Sequence, residues 1–337
     1  MQSEPSKKQV MGWLWHSDLP FKPASFPFHY GWLILIVSTI GLVMSAPGQT
    51  IGVSVFTESL LDVTGLSRVQ FSNAYLMGTL GSGLLLPYAG TVLDRIGVRK
   101  SVVASSIGLG AVLALLSQVD VMALQVSRLG PSKEIAAYAL LTAGFLGLRF
   151  TGQGALTLTC RTMLGRWFER RRGLASSISA PFASVSFASS PLLLGGWVAG
   201  SGWRGAWQEM ALLIGIGMAA FGWLFFREDP ESCGLQMDGE SPANSIEDLD
   251  PTGTALGDGA TEVDPIPTTR TQPTSPSSSP IKSDATRAEA LRSAGFWLIT
   301  LGIANHAMVG TGIALQGIGH TSCLPAQRPS LGAMLNP

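Results

Sequence analysis

The sequence predicts an all-α, polytopic membrane helix bundle, and three observations carry that prediction. Apolar stretches fall at roughly 31–56, 69–90, 101–119, 135–159, 174–199 and 205–226, with a seventh at 294–318. A spanning helix needs about 20 mostly apolar residues to cross the hydrocarbon core. Composition agrees: 13% of residues are charged, 46% are hydrophobic and the mean hydropathy is +0.31. The loops joining the stretches carry Lys and Arg on alternate sides. Six soluble helices of this length and polarity would leave no wetted face.

The tail, 1–30, is polar, aromatic and broken by Pro5, Pro20, Pro23 and Pro27. It lacks the compact apolar region and small-residue cleavage site of a secretory signal. Trp13, Trp15 and the aromatics from Phe26 to Trp32 suit an interfacial belt. The bundle occupies 31–226. Residues 227–293 are rich in Pro, Ser, Thr, Asp and Glu, and are expected to form a disordered cytoplasmic linker that buries too little apolar surface to offset its ordering entropy. A seventh helix follows at 294–319. The tail at 320–337 is too short and Pro-broken to span.

Orientation follows from the basic residues. Lys7, Lys8, Lys22, Arg95, Arg99, Lys100, Arg161, Arg166 and Arg170 to Arg172 lie on one side. Arg68, Arg128, Lys133 and Arg204 lie on the other. The positive-inside bias therefore places the N-terminus in the cytoplasm. A plasma or inner membrane is the expected location.

Between spans two and three stands Gly90-Thr-Val-Leu-Asp94-Arg95-Ile-Gly97-Val-Arg99-Lys100. Gly90 and Gly97 are expected to permit a tight turn and close backbone approach. Asp94 is expected to accept charge-assisted hydrogen bonds from an arginine or a helix N-terminus, with Arg95, Arg99 and Lys100 anchoring at the headgroups. This stretch resembles the loop signature of the major facilitator superfamily, G-x-x-x-D-R-x-G-x-R-K. Three further stretches are similar to pieces of the same family: Trp167 to Ala175, Gly202 to Trp207, and Arg227 to Gly239. The last resembles the monocarboxylate and oxalate–formate antiporter branch. The resemblance implies the N-terminal six-helix half of a major facilitator fold plus a seventh helix. That family usually has twelve spans, so the chain reads as truncated after the seventh.

Arg149 is the leading functional candidate. It falls near the middle of span four, where an arginine costs about 2.5–3.5 kcal/mol on insertion scales and should face a wet cavity or a partner. Gln153 lies one turn on, on the same face, with Thr157 after it, and is expected to form a polar wall with Gln49 and Thr50 around the substrate. The resemblance implies that an arginine here serves proton coupling or anion binding, although the glycines at 152 and 154 fit the family's fourth-helix pattern loosely. In span one, Ser45-Ala-Pro47-Gly48-Gln49-Thr50 can interrupt the helix where it lines a cavity, with Gln49 and Thr50 supplying neutral hydrogen bonds. A kink without a ligand remains the other reading. Asn73 and Tyr75, toward the outer end of span two, read as interfacial. In span five, Ser190, Pro191, Gly195 and Gly196 depart from the family's antiporter motif, which leaves exchange and symport both open. His306 in span seven reads as a core histidine.

Net charge is zero, which gives no support for nucleic-acid binding. The cysteines, Cys160, Cys233 and Cys323, show no metal spacing. No catalytic set and no phosphate loop is present, so neither an enzyme nor an ATP-driven pump is expected, and no cofactor or metal. The expected function is secondary transport of a small solute by alternating access. The resemblance suggests an organic anion such as a monocarboxylate, coupled to a proton or a counter-anion. The alternative is a truncated, non-transporting fragment, scaffold or sensor.

Overall fold

A computed structural model describes Trp15, residues 19–239, residues 287–305 and Val309. They fall in two units divided between Ser241 and Pro242. The described residues are helical, with no strand among them. Residues 240–286, which hold most of the expected linker, and the expected tail at 320–337 lie outside them, as does His306.

In the first unit, α1 (Gly31–Met44) ends in a 3-10 turn, Ala46–Gly48, and the chain continues as α2 (Thr50–Ser54) and α3 (Thr57–Thr64). Next come α4 (Arg68–Ile96), α5 (Val98–Leu116), α6 (Val119–Ser127) and α7 (Lys133–Leu148). A π-helical segment, Arg149–Leu156, joins α7 to α8 (Thr157–Trp167). Then α9 (Arg172–Leu212), a second π segment (Leu213–Met218) and α10 (Ala219–Phe225) complete the bundle. In the second unit α11 (Arg287–Arg292) precedes α12 (Ala294–Asn305), the described start of the expected seventh helix.

Among the described residues, four helical runs are long and apolar enough to cross a membrane: Arg68–Ile96, Val98–Leu116, Lys133–Trp167 and Arg172–Phe225. The last is two spans. Gly202, at φ +71° and ψ 165°, breaks it in a conformation that residues with a Cβ avoid. Span one is short because Pro47 offers no amide to continue the helix. Large apolar side chains point outward along α4 and α9: Leu84 is 77% exposed and Leu192 is 79% exposed. Such a surface suits a hydrocarbon solvent, not water.

Inside, α4 packs along α7, α1 along α8 and α9, and α5 along the second π segment and α10. Two pairs of glycines meet backbone on backbone. Gly48 meets Gly152 across spans one and four, and Gly110 meets Gly215 across spans three and six. Each contact lies at a π segment or its facing partner. Small residues of this kind let membrane helices approach closely.

The loop at the basic end departs from expectation in three ways. Gly90 sits inside α4 with nothing within 4 Å of the place a Cβ would occupy, so no turn or close approach requires it. Gly97 does adopt a positive φ, +86°. Asp94 is exposed, and among the described residues it makes no hydrogen bond or ion pair. The N-terminus of α5 is held by Glu228 instead, whose carboxylate accepts from the amides of Val98 (2.7 Å) and Arg99 (3.3 Å). Arg99 is not at the headgroups. It is 2% exposed, donates to the carbonyls of Trp223 and Leu19 (2.8 Å each), and lies over the Trp223 ring at 5.2 Å. Burial succeeds because the guanidinium has found acceptors and an aromatic face. Arg95 and Lys100 are exposed, as an interfacial role requires.

The expected disordered linker does not begin at 227. Residues 227–239 form two 3-10 turns, Glu231–Cys233 and Met237–Gly239, and bury Arg227, Cys233 and Asp238. Asp238 accepts from the amides of Glu169, Arg170 and Arg171 (2.8–3.2 Å). Burial opposes ionisation of its carboxyl, but those amide bonds outweigh it and hold the group below the ordinary aspartate value. Composition misleads here because two carboxylates capping orphan amides order a segment that has little apolar surface. The strap thus ties the 2–3 loop, through Glu228, to the 4–5 loop, through Asp238.

Candidate functional site

The site begins with the break in span one. After Met44 the backbone tightens through Ala46–Gly48, and Gln49 is extended (φ −85°, ψ 157°) before the helix resumes at Thr50. Gly48 is required there. A Cβ on it would lie 2.8 Å from Gly152 Cα and from the Leu148 carbonyl oxygen. The facing stretch of span four is the π segment, in which the Thr157 amide reaches back to the Gly152 carbonyl. π-bulges occur frequently at functional sites.

Arg149 starts that segment and reaches span one. Its Nη1 lies 3.2 Å from Thr50 Oγ1 and 3.5 Å from the Gly48 carbonyl oxygen. Its Cζ sits 5.4 Å from the centroid of the Tyr75 ring. The Tyr75 hydroxyl lies 3.0 Å from Thr50 Oγ1, closing a triangle of arginine, tyrosine and threonine. Tyr75 is itself braced edge-on by Phe145, one turn before Arg149, with centroids 5.3 Å apart. Among the described residues no carboxylate pairs with Arg149. Its positive charge faces only neutral acceptors and a π face.

A second polar layer lies about two turns further along span four. Gln49 Nε2 donates to Ser45 Oγ at 3.2 Å, Ser45 donates to the Leu42 carbonyl at 2.6 Å, and Thr157 Oγ1 stands 3.3 Å from Ser45 Oγ. Thr50 thus stands beside Arg149, whereas Gln49 belongs to the second layer and, among the described residues, makes no hydrogen bond to Arg149. Gln153 is different. It is exposed, and among the described residues it makes no hydrogen bond to Arg149. The expectation of a shared face assumed α-helical spacing, whereas the wider π turn moves a side chain four residues on out of line.

Tyr75 is the residue that sequence reasoning missed. Read as interfacial, it proves part-buried and central. A signal existed: Phe71, Ala74, Gly78 and Ser82 mark the buried stripe of α4, and Tyr75 adjoins it. Asn73 is exposed, as read.

Two groups elsewhere bear on the bundle's ends. At the end opposite the basic loops, Arg204 grips Asp120 in a two-point pair (2.7 and 2.5 Å) and donates to the Ser117 carbonyl at 3.3 Å. Near the entry to span one, Tyr30 is fully buried and donates to the Phe225 carbonyl at 2.8 Å. No group of three or more metal-ligating side chains occurs among the described residues.

A polytopic helix bundle with a charged residue held inside it at a broken helix is the class of protein that fold and site define. The sequence profile of the Major Facilitator Superfamily matches residues 32–308. The chain belongs to that superfamily and is a multi-pass membrane protein. It is similar to the riboflavin transporter RibJ of Trypanosoma brucei brucei (strain 927/4 GUTat10.1), at 25% identity over 227 residues. The match covers 65% of this chain and 38% of the relative, so the chain spans well under half of that protein's length.

Proposed function

We propose that this chain carries the substrate-binding half of a secondary transporter for a small organic anion. One observation carries the reading: the Arg149 guanidinium is held inside the bundle by Thr50, the Gly48 carbonyl and the Tyr75 ring, with no carboxylate among the described residues to neutralise it. A carboxylate substrate completes that charge, and Gln49, Thr50 and Tyr75 form the polar wall. Transport runs by alternating access, coupled to a proton or a counter-anion, with the basic end of the bundle in the cytoplasm. The segment 227–239 supports the monocarboxylate-like branch through its resemblance alone.

A second reading has its own support. The similarity to a riboflavin transporter favours a neutral heteroaromatic solute, for which Tyr75 is a stacking partner and Arg149 a donor to a ring carbonyl. Equilibrium binding to the purified intact chain in detergent separates the two. Saturable binding of a labelled monocarboxylate that is lost in Arg149→Ala and partly kept in Arg149→Lys is the expected result. Saturable riboflavin binding without carboxylate binding replaces the anion with a flavin. Equal carboxylate binding by wild type and Arg149→Ala removes the role assigned to Arg149.

A further inference from the structure

Beyond the Arg149 site, at the basic end of spans four and five, lies an open cavity of about 810 Å³. Three guanidinium groups line it, those of Arg161, Arg166 and Arg172, with the hydroxyls of Thr162, Ser176 and Ser179. We propose that this cavity is a second, separate anion site, which takes a phosphate-bearing ligand.

The charge balance comes first. The lining contains no carboxylate. Among the described residues Arg166 pairs with Glu228 at 3.6 Å, and that carboxylate is already engaged by the Val98 amide. Three positive groups against one shared negative group suit a dianion better than a monocarboxylate.

Pre-organisation comes second. Arg172 donates through Nη2 to the Gly165 carbonyl (2.9 Å) and through Nε to the Phe168 carbonyl (3.4 Å). Those acceptors fix the side chain without neutralising it. A guanidinium has five N–H donors, so both Arg172 and Arg166 keep donors for a ligand. Arg161 is exposed, and among the described residues it makes no hydrogen bond or ion pair. Planar guanidinium forks match phosphate oxygens in pairs, and holding them in advance reduces the entropy lost on binding.

Shape comes third. A cavity of this size falls within the usual range for small-ligand sites, about 300–1,000 Å³. It therefore admits a phosphate ester with a sizeable organic group, not the free ion alone. The loop amides just before α9, those of Glu169, Arg170 and Arg171, are already occupied by Asp238 and are not part of this site.

The phosphate has two possible sources, a soluble phosphomonoester or the headgroup of an anionic lipid. One experiment with two arms distinguishes them. Inorganic phosphate is titrated calorimetrically onto the intact chain in uncharged detergent, against chloride at equal ionic strength. In parallel, thermal unfolding is followed in phosphatidylcholine nanodiscs with and without phosphatidic acid. Each arm uses wild type, Arg161→Gln and Arg161→Glu. Arg161 makes no hydrogen bond or ion pair among the described residues, so both variants are expected to keep wild-type helicity and monodispersity.

A soluble ligand gives saturable phosphate binding that weakens about tenfold in Arg161→Gln and vanishes in Arg161→Glu. A lipid headgroup gives a phosphatidic-acid-dependent rise in unfolding temperature that follows the same order. Either result upholds the site. The proposal is overturned if phosphate does not saturate and phosphatidic acid has no effect in wild type, or if the Arg161 variants match wild type in both arms. Arg149→Ala is expected to keep the phosphate response, so loss of the transport site and loss of this one remain distinguishable.

Discussion

Gly48 and Gly152 touch backbone to backbone, and that contact sets how close span one comes to span four. A Cβ on Gly48 would stand 2.8 Å from Gly152 Cα, and one on Gly152 would stand 2.9 Å from Gly48 Cα. Neither neighbour is a flexible side chain that can yield. The Arg149 bonds to Thr50 and to the Gly48 carbonyl depend on this approach.

Gly48→Ala is therefore expected to destabilise the bundle by about 1–3 kcal/mol, the usual range for an overpacked interior. Gly83→Ala provides the contrast, since nothing lies within 4 Å of its Cβ. That change should be neutral or slightly stabilising. Thermal unfolding of both variants in detergent, followed by circular dichroism, checks the pair. Equal unfolding temperatures would remove the contact as a structural determinant.

Arg149 and Tyr75 should contribute unequally to binding. Losing a charged hydrogen-bond donor is expected to weaken substrate affinity by about ten- to a hundredfold in Arg149→Ala. Tyr75→Phe keeps the ring over the guanidinium and removes only the hydroxyl that bonds Thr50. A loss of about two- to tenfold is expected. Titration of the bound substrate class against each variant reads both values, and a Tyr75→Phe loss equal to that of Arg149→Ala would contradict the assigned geometry.

The strap at 227–239 makes a pH-dependent prediction. The folded-state pKa of Asp238 lies below the ordinary aspartate value. Its contribution is therefore fully present above the unfolded value, about 3.9, and is lost as pH falls through the lower folded value. Asp238→Asn should lower the unfolding temperature at pH 7 and at pH 5. The gap to wild type should shrink only below about pH 4. A gap that closes already between pH 7 and pH 5 would mean another group is responsible.

At the opposite end, Asp120 and Arg204 join the 3–4 loop to the start of span six. The pair is two-pointed, but the Arg204 side chain is 37% exposed. Solvent screening therefore limits the coupling to about 0.5–1 kcal/mol. A double-mutant cycle with Asp120→Asn and Arg204→Gln measures it, and the coupling should decline as salt is raised.

Parts of the site were legible in the chain itself. Arg149 stood out because a charge at mid-span is expensive, and Pro47 beside Gly48 because no helix passes through that pair unchanged. Tyr75 did not, because an aromatic near the end of a span has the same local signature whether it meets headgroups or a buried arginine. Gln153 failed for the opposite reason. Its spacing from Arg149 is right for an α-helix, and only packing against Gly48 shows that the turn is π. The segment from Arg227 to Gly239 looked disordered by composition, since a cap needs two carboxylates and no apolar run.

Hydropathy and basic-loop asymmetry depend on each residue's own transfer into lipid, which is why the all-α bundle and the interior arginine followed from the order of amino acids alone. Which helices face each other depends on shape between elements far apart in the chain. Thr50 meets Tyr75, Gly48 meets Gly152 and Glu228 meets Val98 only once the bundle has closed. Those contacts carry no local periodicity, so tertiary structure alone decided the partners of Arg149 and the anchoring of the strap.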